Sequence, residues 1–224
     1  MRMTFYAHAS FRLETPEVSV VTDPYTPKAS GFEPIDEPAD VVIMSSATDR
    51  FHSDPSHVCG GPTVVNALLD VPPNGVTVHG VPIRAFPTSE SLTFDFGRDP
   101  DANAMYLFTI GGVRVLHMGD VGNPIAPAVL EALAGEVDVL LALAGAHATI
   151  ALDDLDRAIS AIAPRIVIPM HYWHPRGVLK IEPVDRFLQR HPETLISHRN
   201  EPSLTIDPNH LPATRQIIVL DQAR

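Results

Sequence analysis

The chain has 224 residues and a formal net charge of −11, with eleven histidines and a single cysteine, Cys59. The acidic balance argues against a broad nucleic-acid-binding surface, and one cysteine excludes an internal disulfide or a cysteine-based zinc site. No apolar stretch approaches the ~20 residues that cross a bilayer, and the first residues lack the apolar segment of a signal peptide. We therefore expect a cytoplasmic protein that binds neither nucleic acid nor a membrane.

The first half of the chain is typical of strands separated by loops. Short β-branched and aromatic runs predict strands at residues 3–7, 11–14, 18–22, 41–44, 76–79 and 82–86. Residues 26–38, rich in Pro, Lys, Gly and Glu, predict a surface loop. Pro62, at the start of an apolar run, predicts a short helix over residues 62–69. Residues 88–100 are polar and acidic and predict a loop with a turn.

The second half of the chain alternates strands with helices. Gly111 and Gly112 predict a hairpin between strands at 104–110 and 113–116. Helices are predicted at 125–133, 152–163 and 184–189, and further strands at 137–143, 165–170, 195–197 and 216–220. Without an internal repeat or a linker, this pattern predicts one α/β domain over residues 1–224 with two packed sheets.

Polar side chains directly follow three of the predicted strands. They lie in segments 49–54, 117–120 and 171–176 and include Asp49, His52, Asp120 and His171. If these strands lie side by side, the three segments meet at one edge of the sheets, where carboxylate and imidazole groups suit a divalent metal ion. The alternative for each residue is a structural role, capping a turn or a helix.

Six segments, in their order and spacing, resemble the metallo-β-lactamase superfamily. They are AHASFRLE (7–14), TDPY (22–25), ADVVIMSS (39–46), LHMGDVG (116–122), DVLLALAG (138–145) and RIVIPMHY (165–172). More narrowly, the set resembles the bacterial branch that contains L-ascorbate-6-phosphate lactonase and related metal-dependent hydrolases. The resemblance implies a four-layer αββα sandwich with its active site at one edge of the two sheets. It also implies metal-assisted hydrolysis of a small molecule such as a lactone, an ester or a phosphoester.

The chain departs from the superfamily's His-x-His-x-Asp-His loop, which follows the strand at 41–44. In an ungapped comparison the four ligand positions carry Ser46, Thr48, Arg50 and Phe51. The third-motif histidine is also replaced, because Ser, Glu and Ser occupy positions 89–91. The resemblance therefore implies that the first of the family's two metal ions is lost.

A remnant of the second metal position is expected. With one inserted residue, His52 takes the place of the last histidine of the loop, and Asp120 and His171 match the later ligand positions. The resemblance then implies one divalent ion, zinc, manganese or iron, bound by His52, Asp120 and His171, with Asp49 as an additional oxygen ligand. Asp120 and His52 are also the residues expected to act in catalysis.

Arg50 supports a metal-free alternative. Its guanidinium is permanently charged and would pair with Asp120 in place of the ion. The chain would then have no metal cofactor and would be a non-catalytic descendant, serving as a ligand-binding or assembly module. Assembly into a homo-oligomer is compatible with either hypothesis.

Several side chains are predicted to bind a small-molecule substrate or ligand. They are His8, His147, His174, Arg176 and Arg50. His174 and Arg176 would hold an anionic group, and a surface or structural role is the alternative for each. Glu90 is expected to be an exposed turn carboxylate.

Overall fold

A computed structural model describes residues 1–90, 103–147 and 149–224. The strands, in chain order, are β1 (Arg2–Ala7), β2 (Ser10–Glu14), β3 (Ser19–Thr22), β4 (Val41–Met44), β5 (Thr63–Asn66), β6 (Val76–Val78), β7 (Val81–Thr88), β8 (Asn103–Ile110), β9 (Val113–His117), β10 (Val139–Leu143), β11 (Ile166–Met170), β12 (Ile196–His198), β13 (Ser203–Thr205) and β14 (Gln216–Val219). The α-helices are α1 (Pro27–Ser30), α2 (Pro127–Leu133), α3 (Leu152–Ile162) and α4 (Asp185–Leu188). These elements confirm the predicted α/β class.

One sheet has six strands in the order β13-β1-β2-β3-β4-β5, and β3, β4 and β5 run parallel. Because successive side chains of a strand point to opposite faces, its apolar residues divide between two clusters. Val20, Val41 and Ile43 join the large core between the sheets, whereas Val21 and Val42 face the other side. Both faces of the middle strands are therefore covered.

The second sheet has eight strands in the order β12-β14-β11-β10-β9-β8-β7-β6. Its centre is parallel, and every residue of β10 and β11 is buried, as expected for strands covered on both faces. Helix α3 contributes the buried side chains Leu155, Ala158, Ile159 and Ile162 to the same core. Their spacing places them on one face of the helix. The hairpin predicted at Gly111 and Gly112 is confirmed by the antiparallel pairing of β8 with β9.

The prediction of a surface loop over residues 26–38 is wrong for its apolar residues. This segment contains α1, and Phe32 and Ile35 are buried with Tyr25 against the Val42 face of the six-stranded sheet. Burying these side chains removes apolar area from water, which stabilises the fold. The segment forms an outer layer, and the predicted four-layer αββα sandwich is confirmed.

The predicted helix at residues 62–69 is also wrong. Residues Thr63–Asn66 form strand β5, which pairs in parallel with Val41–Met44. Three of its four residues are β-branched and fit a pleated strand better than a helix. The pairing available along β4 outweighs the helix-start signal of Pro62. Strand β13 was not predicted.

Two further predictions, the loop at 88–100 and the lack of a membrane-spanning segment, can be compared only with the described residues. Strand β7 extends to Thr88, and residues 91–100 of the loop predicted at 88–100 lie outside the described part of the chain. Across residues 1–90, 103–147 and 149–224, no helix is long and apolar enough to span a bilayer.

Candidate metal centre

The ends of strands from both sheets meet at one place. Asp23 follows β3, His52 lies in the loop after β4, Asp120 and His171 follow β9 and β11, and His8 lies in the turn between β1 and β2. None of these side chains belongs to a residue more than 5% exposed. The three strand-end segments that the sequence predicts to meet therefore do so. His8 and Asp23, which were not predicted as ligands, lie with them.

Asp23 anchors one side of the centre. Its carboxylate accepts hydrogen bonds from the Ser45 backbone N–H (2.8 Å), the Ser45 hydroxyl (2.6 Å) and the Tyr106 hydroxyl (3.0 Å). His52 Nδ1 lies 2.8 Å from its Oδ2. Burial raises the pKa of Asp23, but the nearby His117 and the bonds from His52 and Ser45 outweigh burial and lower it. The ionised carboxylate holds the His52 Nδ1–H, so Nε2 faces the rest of the centre.

Asp120 lies between two imidazoles. Its Oδ2 is 3.7 Å from His52 Nε2, and its Oδ1 is 3.3 Å from His171 Nε2. Burial lowers the pKa of His52, but Asp120 and Asp23 outweigh burial and raise it to about 9. Burial prevails at His171 and lowers its pKa to about 4. The two carboxylates therefore favour the protonated form of His52, whereas burial favours the neutral form of His171.

Gly119 allows Asp120 to take this position. Its φ is +62°, and a Cβ there would lie 2.5 Å from Asn103 Oδ1 and 2.7 Å from Ser45 Cβ. Asn103 Oδ1 accepts the Asp120 backbone N–H at 2.9 Å. Any larger residue at 119 would push this turn away from β4 and β8.

His8 and His171 are held against each other by their backbones. Both have a left-handed φ, +58° and +53°, which is uncommon outside glycine and concentrates at functional sites. The His171 N–H donates to the His8 carbonyl at 2.7 Å, and the two ring centroids are 4.0 Å apart. Burial, followed by the neighbouring imidazoles, lowers the pKa of His8 well below its usual value. His8 is therefore neutral and able to donate a lone pair.

Four buried polar atoms at the centre have no hydrogen-bond partner among the described residues. They are His8 Nε2, His52 Nε2, His171 Nδ1 and Asp120 Oδ1. Leaving such an atom unpaired costs about 1–3 kcal/mol. Two sets of three side chains each bring their ligand atoms within 4.8 Å of one another: His8, His52 and His171, and Asp49, His52 and Asp120. Because imidazole nitrogens and carboxylate oxygens bind first-row divalent ions, these residues fit a metal ion.

The loop after β4 shows how the missing histidines are replaced. The Ser46 hydroxyl accepts the backbone N–H groups of Thr48 and Asp49, both at 3.2 Å, and so caps a turn. Asp49 Oδ1 accepts the Phe51 N–H at 2.7 Å, and the His52 N–H donates to the Asp49 carbonyl at 3.0 Å. This tight turn brings His52 into the centre, one residue later than the family pattern.

Glu90 is buried, not exposed as predicted, with 3% of its surface accessible. It follows β7 and faces Asp120. Burial, followed by the Asp120 charge, raises the pKa of Glu90 to about 8. The raised pKa favours the protonated carboxyl group, so Glu90 adds little negative charge beside Asp120 at neutral pH.

The predicted ion pair between Arg50 and Asp120 does not form. Arg50 is exposed, and its Cζ lies 5.1 Å from the centroid of the Phe51 ring. The ion pairs of Asp120 within the described part of the chain are made with His52 and His171. Burial of Asp120 keeps it out of reach of a solvated guanidinium, so Arg50 does not substitute for a metal charge.

The other predicted substrate residues divide between a cavity and the surface. His147 and Arg176, like Arg50, are exposed. His174 is half-buried, with its ring 5.7 Å from the Phe32 ring. A small cavity beside the centre is lined by residues including His8, Phe32, Phe51, Tyr172, His174 and Ile181. His8 therefore connects the metal-ligand cluster with a largely apolar cavity.

His117 is a structural residue. Its Nδ1 accepts the Gly119 N–H at 2.9 Å, which requires Nε2 to carry the hydrogen that bonds the Ala9 carbonyl at 2.8 Å. Both ring nitrogens are occupied, so His117 is not available as a ligand.

Asp23, Ser45 and Tyr106 were not predicted from the sequence to belong to the centre. Asp23 follows β3 as Asp120 follows β9, and this common placement was the available signal. Tyr106 lies in the middle of β8, where nothing in the sequence distinguishes it from other core aromatic residues.

The αββα fold and the strand-end cluster of histidine and carboxylate residues define a protein of metallo-β-lactamase type. The chain belongs to the β-lactamase superfamily, since the profile described as "Beta-lactamase superfamily domain" matches residues 2–171. It is 28% identical over 193 residues to a UPF0173 protein of Pyrococcus abyssi, covering 77% of this chain and 83% of that one. It is 26% identical over 197 residues to a UPF0173 metal-dependent hydrolase of Thermococcus kodakarensis, covering 78% and 87%.

Solved structures give the same result. A Thermotoga maritima protein of the metallo-β-lactamase superfamily, described as a candidate zinc-dependent hydrolase, superposes with a TM-score of 0.75 at 28% identity. The match covers 98% of this chain and 97% of that one. A metallo hydrolase from Ignicoccus hospitalis shares the fold, with a TM-score of 0.60 at 17% identity and coverage of 84% and 89%. The predicted superfamily is confirmed, whereas the L-ascorbate-6-phosphate lactonase branch stays a prediction.

Proposed function

We propose that the chain is a metal-dependent hydrolase of a small molecule, with a reduced centre that holds a single divalent ion. His52, Asp120 and His171 would hold the ion, with Asp49 beside them. The observation that carries this proposal is the convergence of buried donor atoms that have no hydrogen-bond partner among the described residues. The names of the UPF0173 relatives, several of which are called metal-dependent hydrolases, support it.

The limit of one ion comes from His52. Its Nδ1 is occupied by Asp23, so Nε2 is the one nitrogen that it can offer. Ser46 caps a turn and Thr48 is exposed, so neither restores a second set of ligands. Among the described residues, both sets that fit a metal share His52 and therefore compete for one ion.

The chain's own residues prepare the centre for hydrolysis. When bound, a divalent ion such as zinc, iron or manganese polarises a carbonyl or phosphoryl oxygen and makes water more acidic. Asp23 fixes the orientation of His52, and Asn103 fixes the backbone at Asp120. Because Asp120 contacts both His52 and His171, it is placed to orient water and to balance the positive charge of the centre.

The cavity beside His8 indicates the kind of substrate. Its lining includes the side chains of Phe32, Phe51, Tyr172 and Ile181, so it suits an uncharged apolar group. Arg176 is exposed and does not line this cavity. We therefore favour a small ester or lactone over a phosphoester.

The proposal is tested by comparing the hydrolytic activity of metal-stripped protein with that of protein reloaded with a metal. Stripped protein is reloaded with zinc, iron or manganese and assayed on aryl esters, lactones and aryl phosphodiesters. We expect hydrolysis of an ester or a lactone with loaded protein alone, and its loss in Asp120→Asn. Asp154→Asn, in a pair with the exposed Arg157 on helix α3, is the matched control and should keep full activity.

The non-catalytic alternative predicts a different result. Metal loading below ~0.2 equivalents under conditions that saturate a three-ligand site, with no hydrolysis of any substrate, would favour it. Asp120→Asn would then leave ligand binding intact.

A further inference from the structure

We infer that His8 is a direct metal ligand, so that the ion is held by the imidazoles of His8, His52 and His171 together with the Asp120 carboxylate. This inference rests on the proposed metal-dependent function and specifies its ligand set. The superfamily comparison assigned His8 to the wall of a substrate pocket at most. The position of its side chain points to a different role.

The three imidazoles form a compact buried cluster. One ring nitrogen of each lies within 4.8 Å of those of the other two, close to the ~3–4 Å that separates two nitrogen ligands of one zinc ion. Their ring centroids are 4.0 Å apart for His8 and His171, 5.1 Å for His8 and His52, and 5.6 Å for His52 and His171. Each ring retains a nitrogen without a hydrogen-bond partner among the described residues.

The backbone holds His8 in this cluster at a cost. A left-handed φ is unfavourable for a non-glycine residue and persists where the surroundings impose it. Here both His8 and His171 adopt it, and one backbone hydrogen bond joins them. The strained turn between β1 and β2 thus places the His8 imidazole beside that of His171.

The competing set is less suited to an ion. It consists of Asp49, His52 and Asp120, and Asp49 already uses Oδ1 to accept the Phe51 N–H. Binding an ion through Asp49 would compete with the turn that positions His52. Binding an ion through the three histidines would not disrupt any of these turn hydrogen bonds. Asp120 contacts two of the three histidines, His52 and His171.

The consequence is a nitrogen-rich centre. His8 would compensate for an imidazole lost where Ser46 and Thr48 replace histidine. Three imidazoles and one carboxylate favour zinc, iron or copper over manganese or magnesium, which prefer oxygen ligands. The chain should therefore bind zinc much more tightly than manganese.

Copper(II) electron paramagnetic resonance on the wild-type protein counts the nitrogens directly. We expect hyperfine coupling to three nitrogens, and to two in His8→Ala. One or two nitrogens in the wild-type chain would overturn the inference. Because this measurement uses unaltered protein, it does not depend on the folding of a variant.

Zinc affinity, measured by chelator competition, provides the second test. His8→Ala should lower it more than about 100-fold, because even an outer-shell partner is worth about 10–100-fold. His198→Ala removes an exposed imidazole and is the matched control, with no change expected. An unchanged affinity in His8→Ala would overturn the inference while leaving the proposed function intact. A wild-type chain that binds no metal would overturn both.

Discussion

Replacing Asp23 with asparagine removes a buried charge while keeping the size of the side chain. Asp23 is fully buried, and each of its carboxylate oxygens accepts two bonds. Oδ1 receives the Ser45 N–H and the Tyr106 hydroxyl, and Oδ2 receives the Ser45 hydroxyl and lies against His52 Nδ1. In Asp23→Asn one oxygen survives, and an amide NH₂ group takes the place of the other.

The expected effects follow from these contacts. An NH₂ group opposite His52 Nδ1 must donate, which moves the imidazole hydrogen to Nε2 and blocks the nitrogen that faces the centre. Loss of such an orienting partner typically lowers metal affinity about 10–100-fold, so we expect the zinc affinity of Asp23→Asn to fall by about that factor. Exchanging a charge-assisted bond for a neutral one should also lower the free energy of unfolding by about 2 kcal/mol.

Chelator competition for zinc and urea denaturation of the metal-free protein separate the two effects. Tyr106→Phe is the control, because it removes one donor to Asp23 without touching His52. It should cost about 1 kcal/mol of stability and leave zinc affinity unchanged. Wild-type zinc affinity in folded Asp23→Asn would refute the assignment of Nε2 as the ligand atom of His52.

Two further predictions concern stability. Gly119→Ala should lower the free energy of unfolding by about 3 kcal/mol, because the left-handed φ is combined with overlap of the new Cβ with Asn103 and Ser45. Gly135→Ala is the control, since no described atom lies within 4 Å of the added Cβ. It should cost about 1 kcal/mol in the same urea titration. Asp138 pairs with Arg114 through two side-chain bonds, and these lower its pKa against the effect of burial. Its contribution should be complete above its unfolded pKa of about 3.9 and vanish as the pH falls through the lower folded value. Asp138→Asn should therefore cost about 1–2 kcal/mol at pH 7, discounted for the partial exposure of Arg114, and much less near pH 2; a cost independent of pH would contradict the ion pair.

The fold was largely predictable because its strands are marked by strong local patterns. The buried parallel strands β10 and β11 are continuous apolar runs bounded by polar residues, and the Gly111-Gly112 turn fixes a hairpin. Strand β5 was missed because its stability comes from pairing with β4, a long-range contact that Pro62 conceals in the sequence. Local propensity is a weak guide where tertiary pairing decides.

The centre was less predictable because its geometry depends on turns. The sequence placed Asp120 and His171 at strand ends, where side chains from neighbouring strands converge. The distance by which the turn at Ser46 moves His52 into the centre could not be predicted from the sequence. The left-handed backbone that directs the His8 side chain to the same place could not be predicted either. Glu90 was assigned to the surface because its neighbours are polar, and the contacts that bury it come from distant segments.

The number of metal ions per chain tests the central claim most directly. Protein purified without chelators and saturated with zinc is dialysed, and its metal content is measured by mass spectrometry against the protein concentration. We expect about one zinc per chain, because His52 offers one nitrogen to two overlapping ligand sets. Two ions per chain would contradict the reduced centre, and no retained metal would contradict the metal-dependent function itself.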